Sequence, residues 1–132
     1  MKKIITFFFV VICAFLFVSC SNINNKEEQW GSFTAEKTYS YDKVFYAIQS
    51  VDEKEDTSHI VVDIYQTENN EKVYSFSPAR ANDFWGICWE NDNYNIWFQS
   101  SDIGIFCYEF KDSQWILNEN ATRPEYIISK YD

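Results

Sequence analysis

Histidine, glycine and positive charge are all scarce in this sequence, and each scarcity closes off a class of function. His59 is the only histidine. Ser58 beside it would point to the opposite face of a strand, so the two do not form a nucleophile and base pair, and no other triad is present. No glycine interrupts the acidic run Asp52-Glu53-Lys54-Glu55-Asp56. The ordered ligand spacing of a calcium loop is missing as well, so the run is expected to be a solvated hairpin tip rather than a metal site. Eleven lysines and arginines against 20 acidic residues give a net charge of -9. Removing Lys2 and Lys3 with the first 19 residues would bring it to about -11, and such a surface repels a phosphate backbone, which argues against nucleic acid as a partner. Long apolar runs are missing too. The longest spans residues 4–18, fifteen residues that include Thr6 and Cys13, against the ~20 needed to cross a bilayer.

What is abundant is aromatic and apolar character, at 20% and 46% of residues, ample for one packed core in a single small domain. The N-terminus carries the most specific signal. Lys2-Lys3, the apolar run and Ser19-Cys20-Ser21 together form an export signal with a short hydrophobic centre. Within it, Phe17-Val18-Ser19-Cys20 resembles a bacterial lipobox. The resemblance implies a signal peptide over 1–19 and a diacylglyceryl thioether on Cys20. It also implies attachment to the extracytoplasmic face of the cell membrane through that lipid, since two or more acyl chains suffice for stable anchoring. Residues 20–29 are polar and without apolar periodicity, as expected of a flexible tether.

The domain proper spans 30–132. Residues 83–110 set its architecture: Trp85, Ile87 and Trp89 alternate with Gly86, Cys88 and Glu90, and Asn91-Asp92-Asn93 supplies turn formers. Tyr94, Ile96 and Phe98 then alternate with Asn95, Trp97 and Gln99. Ser100-Ser101-Asp102 and Lys111-Asp112-Ser113 break the chain before two further runs at 103–108 and 114–117, giving a four-strand meander. The first half reads alike, with a moderately strand-like stretch at 33–41 and strands at 44–49, 60–66 and 72–76, separated by polar breaks at 52–58 and 67–71. Asp42, Ile48, Gln49 and Ser50 fall fifty residues before Asp92, Phe98, Gln99 and Ser100, and Tyr65 and Tyr108 occupy equivalent places. Two tandem repeat units, about 33–77 and 83–118, are therefore expected. At 123–131, Thr122 and Glu125 have capping-box spacing around Pro124, which predicts a short C-terminal helix over a sheet edge. The expected fold is all-β: two tandem antiparallel β-meanders packed together as blade-like sheets, plus that helix.

Tyr41-Asp42-Lys43-Val44-Phe45-Tyr46-Ala47-Ile48 followed by Val62-Asp63-Ile64-Tyr65 resembles the blade repeat of WD40 and TolB-type β-propellers, and Cys88 to Asn93 with Phe106-Cys107-Tyr108 resembles it again. Propellers close with four or more blades and this chain has room for two. The sheets either stack on each other or are lent to an oligomer. The whole also resembles small lipoproteins of Gram-positive bacteria, a resemblance that brings no activity with it.

Chemistry is sparse. Cys88 and Cys107 sit on strands separated by a third, about 9.5 Å apart and beyond the ~7 Å limit for a bridge, so free thiols are expected. Glu90, Asp92, Asp102 and Glu109 are close in sequence, but acidic turns account for them better than a glycosidase pair does. Trp85, Trp89, Trp97 and Tyr94 form the candidate ligand or partner surface, with core packing as the competing role. Arg80, just before them, is the candidate anchor for an anionic ligand or a partner of Asp83. The function expected is a non-catalytic binding or interaction module, with no cofactor and no metal. Its partner would be a protein or a polysaccharide. The alternatives are a structural accessory subunit of an envelope complex, or a carbohydrate-binding or carbohydrate-acting protein.

Overall fold

The computed structural model describes Trp30 and residues 36–54, 57–81 and 84–128; the expected signal segment, Cys20 and the expected tether lie outside the described residues. Two antiparallel sheets make up the domain. The first contains β1 (Thr38–Tyr39), β2 (Phe45–Lys54), β3 (Thr57–Gln66) and β4 (Lys72–Phe76); the second contains β5 (Trp85–Trp89), β6 (Ile96–Ser100), β7 (Gly104–Lys111) and β8 (Gln114–Asn118). Within each sheet the strands lie in sequence order, as a meander.

The turns explain why the strands stop where they do. β7 and β8 are joined by Asp112-Ser113, both with positive φ, the twist a two-residue hairpin demands. Gly104, at φ 84, lets the chain re-enter the sheet after the loop 101–103, in a region where a side chain would be strained. Asn70, at φ 56, closes the β3–β4 turn, where its N–H donates to Gln66 O at 3.0 Å.

Two expectations fail here. The break at 52–58 is strand for most of its length, with Asp52 paired to His59, Glu53 to Ser58 and Lys54 to Thr57. Backbone pairing satisfies itself without apolar side chains, so the hairpin arm runs on past the core, as the exposure of Val51 shows. The helix at 123–131 is likewise not seen among the described residues, which end at 128: residues 125–127 make a turn in which Ile127 N–H donates to Pro124 O at 3.0 Å. A single helical turn is costly to nucleate, and Ile127 instead buries itself against the second sheet while Trp30 Nε1–H donates to Ile128 O at 2.9 Å.

The core lies between the sheets. Ala47, Ile60, Val62 and Ile64 of the first meet Ile87, Trp89, Ile96, Phe98, Tyr108 and Trp115 of the second. Rings interlock across the gap, Phe76 with Tyr108 at 3.9 Å between centroids and Phe45 edge-on to Trp115 at 5.3 Å. A second cluster, Trp30, Cys88, Trp97, Cys107 and Ile127, covers the far face of the second sheet.

The strand register shows how the sheets are stacked. Tyr46 pairs with Tyr65, and Ile96, fifty residues on, pairs with Tyr108. Under that equivalence Ala47 and Gln49 correspond to Trp97 and Gln99, which defines a front face for each sheet. The front of the first lies in the core between the sheets, whereas the front of the second carries Trp97 into the outer cluster. The sheets are stacked front to back, like two consecutive copies of one layer.

Candidate functional site

The five residues singled out from the sequence do not share one surface. Strand alternation sends Trp85 and Trp89 to the back of the second sheet and Trp97 to its front. Trp89 and Trp97 are both buried, at 6% and 2% exposure, and Trp85 is half-buried. Trp89 Nε1–H donates to Thr38 O at 3.0 Å, tying β5 to β1. Arg80 is exposed on the connector, bridged through its backbone to His59, and Asp83 lies outside the described residues.

Tyr94 is half-buried and links the two sheets. Its hydroxyl donates to Asp42 Oδ2 at 2.7 Å, while Ser40 Oγ and Val44 N–H both reach Asp42 Oδ1 at 3.0 Å. Desolvation works against the Asp42 carboxylate, but these hydrogen bonds, Tyr94 foremost, outweigh it and hold the pKa below the ordinary value. The same contact pushes the Tyr94 hydroxyl well above its ordinary value.

The carboxylates considered for acid–base work are each occupied locally. Glu90, buried, accepts from Trp97 Nε1 at 2.7 Å and Asn93 Nδ2 at 2.5 Å. Asp102 accepts from Ser100 Oγ, Asp92 from Asn93 Nδ2, and Glu109 from both Lys111 Nζ and Asn118 Nδ2. Glu109 is held below its ordinary pKa by Lys111 first and Asn118 second. Trp97 stands between Cys88 and Cys107, its cross-strand neighbours, and both thiols are free and buried. Burial pushes each up to about 12, with the negative charge of Glu90 adding to the effect, so neither is an activated nucleophile. His59 Nε2 lies 3.2 Å from Thr57 Oγ1, not from Ser58. Among the described residues no cluster of histidine, cysteine and carboxylate has the make-up of a metal site.

A concave site does exist, elsewhere. Pro78, Ile103, Ile105, Phe106, Leu117 and Glu119 line an open groove of about 370 Å³. It arises from a mismatch in strand length. β8 pairs with β7 only as far as Cys107↔Asn118, so among the described residues the first three of β7 run on with no strand beside them on that side. Ile103 and Leu117 stand exposed around the gap, at 48% and 42%. No family model matches the sequence, and neither a curated relative nor a solved structure matches it. The groove pairs apolar side chains with the open backbone edge of β7. Sequence reasoning passed over it because Ile103, Ile105 and Phe106 look like ordinary strand residues. The available signal was the shorter run at 114–117 facing the longer one at 103–108.

Proposed function

We propose that the protein is a lipoprotein anchored through Cys20 to the extracytoplasmic face of the cell membrane, its β domain acting as a non-catalytic interaction module. The N-terminal signal supports the anchor, and among the described residues no helix is long and apolar enough to cross a membrane. The front-to-back stacking of two similar meanders supports reading them as blade-like units. The observation that carries the interaction reading is the groove beside β7: it is concave, offers apolar side chains beside polar surface, and is bordered by a strand edge left unpaired among the described residues, while the candidate acids and thiols are engaged or buried. A structural accessory subunit is the same reading with a permanent partner. A polysaccharide partner is favoured by one feature, the exposed Tyr41 ring lying 5.6 Å from that of Tyr94.

The test is capture from solubilised membranes with the full-length protein as bait, beside Ile103→Glu and Tyr41→Ala. A partner lost with Ile103→Glu alone supports the groove. Retention on envelope polysaccharide, lost with Tyr41→Ala alone, replaces it by the sugar reading. Cys20→Ala should move the protein out of the membrane fraction; unchanged pelleting would refute the anchor.

A further inference from the structure

The two sheets treat the corresponding edge differently. In the first, the edge of β3 left open beyond β4 is filled by the connector: Ile60 N–H donates to Ala79 O and Ala81 N–H to Ser58 O, both at 2.9 Å, with Arg80 bridged to His59 between them. Residues 79–81 thus act as a short added strand. The pairing Tyr46↔Tyr65 against Ile96↔Tyr108 carries Ile60 onto Ile103 and Val62 onto Ile105. Val62 is paired with Phe76 of β4, whereas Ile105 has no partner in β8. Backbone groups alternate sides along a strand, and Cys107 faces β8, so the N–H and C=O of Ile105 point into the groove. Among the described residues no backbone hydrogen bond meets them there.

We propose that this edge is a strand-addition site for an extended, basic segment of another protein. The segment would pair antiparallel with Ile105, as residues 79–81 pair with β3, and seat an apolar side chain among Ile103, Phe106, Leu117 and Pro78. Unpaired strand edges recruit extended peptides through main-chain hydrogen bonds, with pockets for alternate side chains setting specificity. Charge selects the occupant. The chain is at net -9, and among the described residues the only ionisable side chain lining the groove is Glu119, which is exposed. A cation is attracted there, and a second copy of this acidic chain is disfavoured. On the corresponding edge of the first sheet, the segment bound just beyond the equivalent of Ile105, along Ser58 to Ile60, carries Arg80 at its centre.

The proposal rests on the interaction-module reading, and the experiment separates the two. Detergent-solubilised full-length protein is titrated with Val-Arg-Val-Arg-Val-amide carrying fluorescein on its N-terminus, its Glu-for-Arg counterpart, and a version N-methylated at the central valine. Backbone hydrogen exchange is followed in parallel. The expected result is saturable binding of the arginine peptide with slowed exchange at Ile105. Affinity should fall at least tenfold on N-methylation and about fivefold in Glu119→Lys, an exposed change that leaves the fold intact, and the acidic peptide should bind far more weakly. Absence of saturable binding overturns the proposal, as does indifference to N-methylation and to Glu119→Lys. Self-association of the peptide-free protein with Ile105 protected would also overturn it, by placing a second copy at the edge. If the peptide fails while Ile103→Glu still abolishes capture from membranes, strand addition falls and the interaction reading stands. If capture fails too, both fall.

Discussion

The two outward faces of the stacked sheets meet water in opposite ways. The front of the second sheet is sealed from outside: Trp30 and Ile127, from the two ends of the domain, cover Cys88, Trp97 and Cys107. The back of the first sheet seals itself. Tyr46 is only 3% exposed there, because Lys37 Nζ sits 4.1 Å over one face of its ring and Tyr65 stacks at 5.1 Å, while its hydroxyl donates to Asn70 Oδ1 at 3.1 Å. One face is closed by distant chain segments and the other by its own amphipathic side chains, whose apolar bodies and polar tips suit a boundary with solvent. Closure from a distance depends on the whole fold, whereas closure by cross-strand neighbours is local.

Trp97→Ala should show the largest effect. It empties the centre of the sealed face and strips buried Glu90 of an indole donor, so a loss of about 4 kcal/mol is expected in denaturant unfolding. Tyr46→Ala on the self-sealed face should cost about half as much; equal losses would abolish the distinction. Trp30→Ala comes next, at about 3 kcal/mol, and carries a second signature. Native Cys88 and Cys107, with pKa values near 12, should react slowly with a thiol reagent at neutral pH, and opening the cover should speed that reaction at least tenfold. Thiols that stay slow would mean that Trp30 is not the lid.

Smaller effects probe the turns and the link between sheets. Ser113→Gly should stabilise the protein by about 1 kcal/mol, since φ 63 is easy for glycine and strained for serine. Tyr94→Phe should cost about 0.5 kcal/mol at neutral pH, the hydrogen bond to Asp42 lying at the exposed rim. Its pH dependence is two-sided. Asp42 titrates below its ordinary 3.8, so the contribution is complete above that value and lost as pH falls through the depressed one. Tyr94 titrates above its ordinary 10.0, so the contribution is complete below that and lost as pH rises through the raised one. The variant and the parent should therefore converge in stability at both extremes when melting temperature is followed against pH.

The second sheet was almost fully legible in the sequence because its side chains alternate against a core: Trp85, Ile87 and Trp89 mark a strand whose observed bounds are Trp85–Trp89. The distal arm of β2 and β3 was not, since Asp52, Glu53, Ser58 and His59 pair through their backbones and leave no apolar rhythm to read. The helix was misread because Thr122, Pro124 and Glu125 have the right local spacing, while the burial of Ile127 beside Trp30 is decided almost a hundred residues away. Among the candidate site residues the type of side chain was informative and its side of the sheet was not. Trp97 could be placed on the face opposite Phe98, but its cover comes from elements with no sequence proximity. The groove depends on where β8 stops relative to β7 and on where the connector passes, and neither is written in any single segment.

Front-to-back stacking gives the molecule a polarity. Each sheet offers its back to the front of its predecessor, so the contact already made once is of the kind that could be made again, and a further unit of this design would need no new type of interface. Trp30 and Ile127 cap the front of the second sheet, and the tyrosine-faced back around Tyr46 closes the first. Trading either cover for an ordinary front or back would therefore expose a face able to take another layer at that end alone.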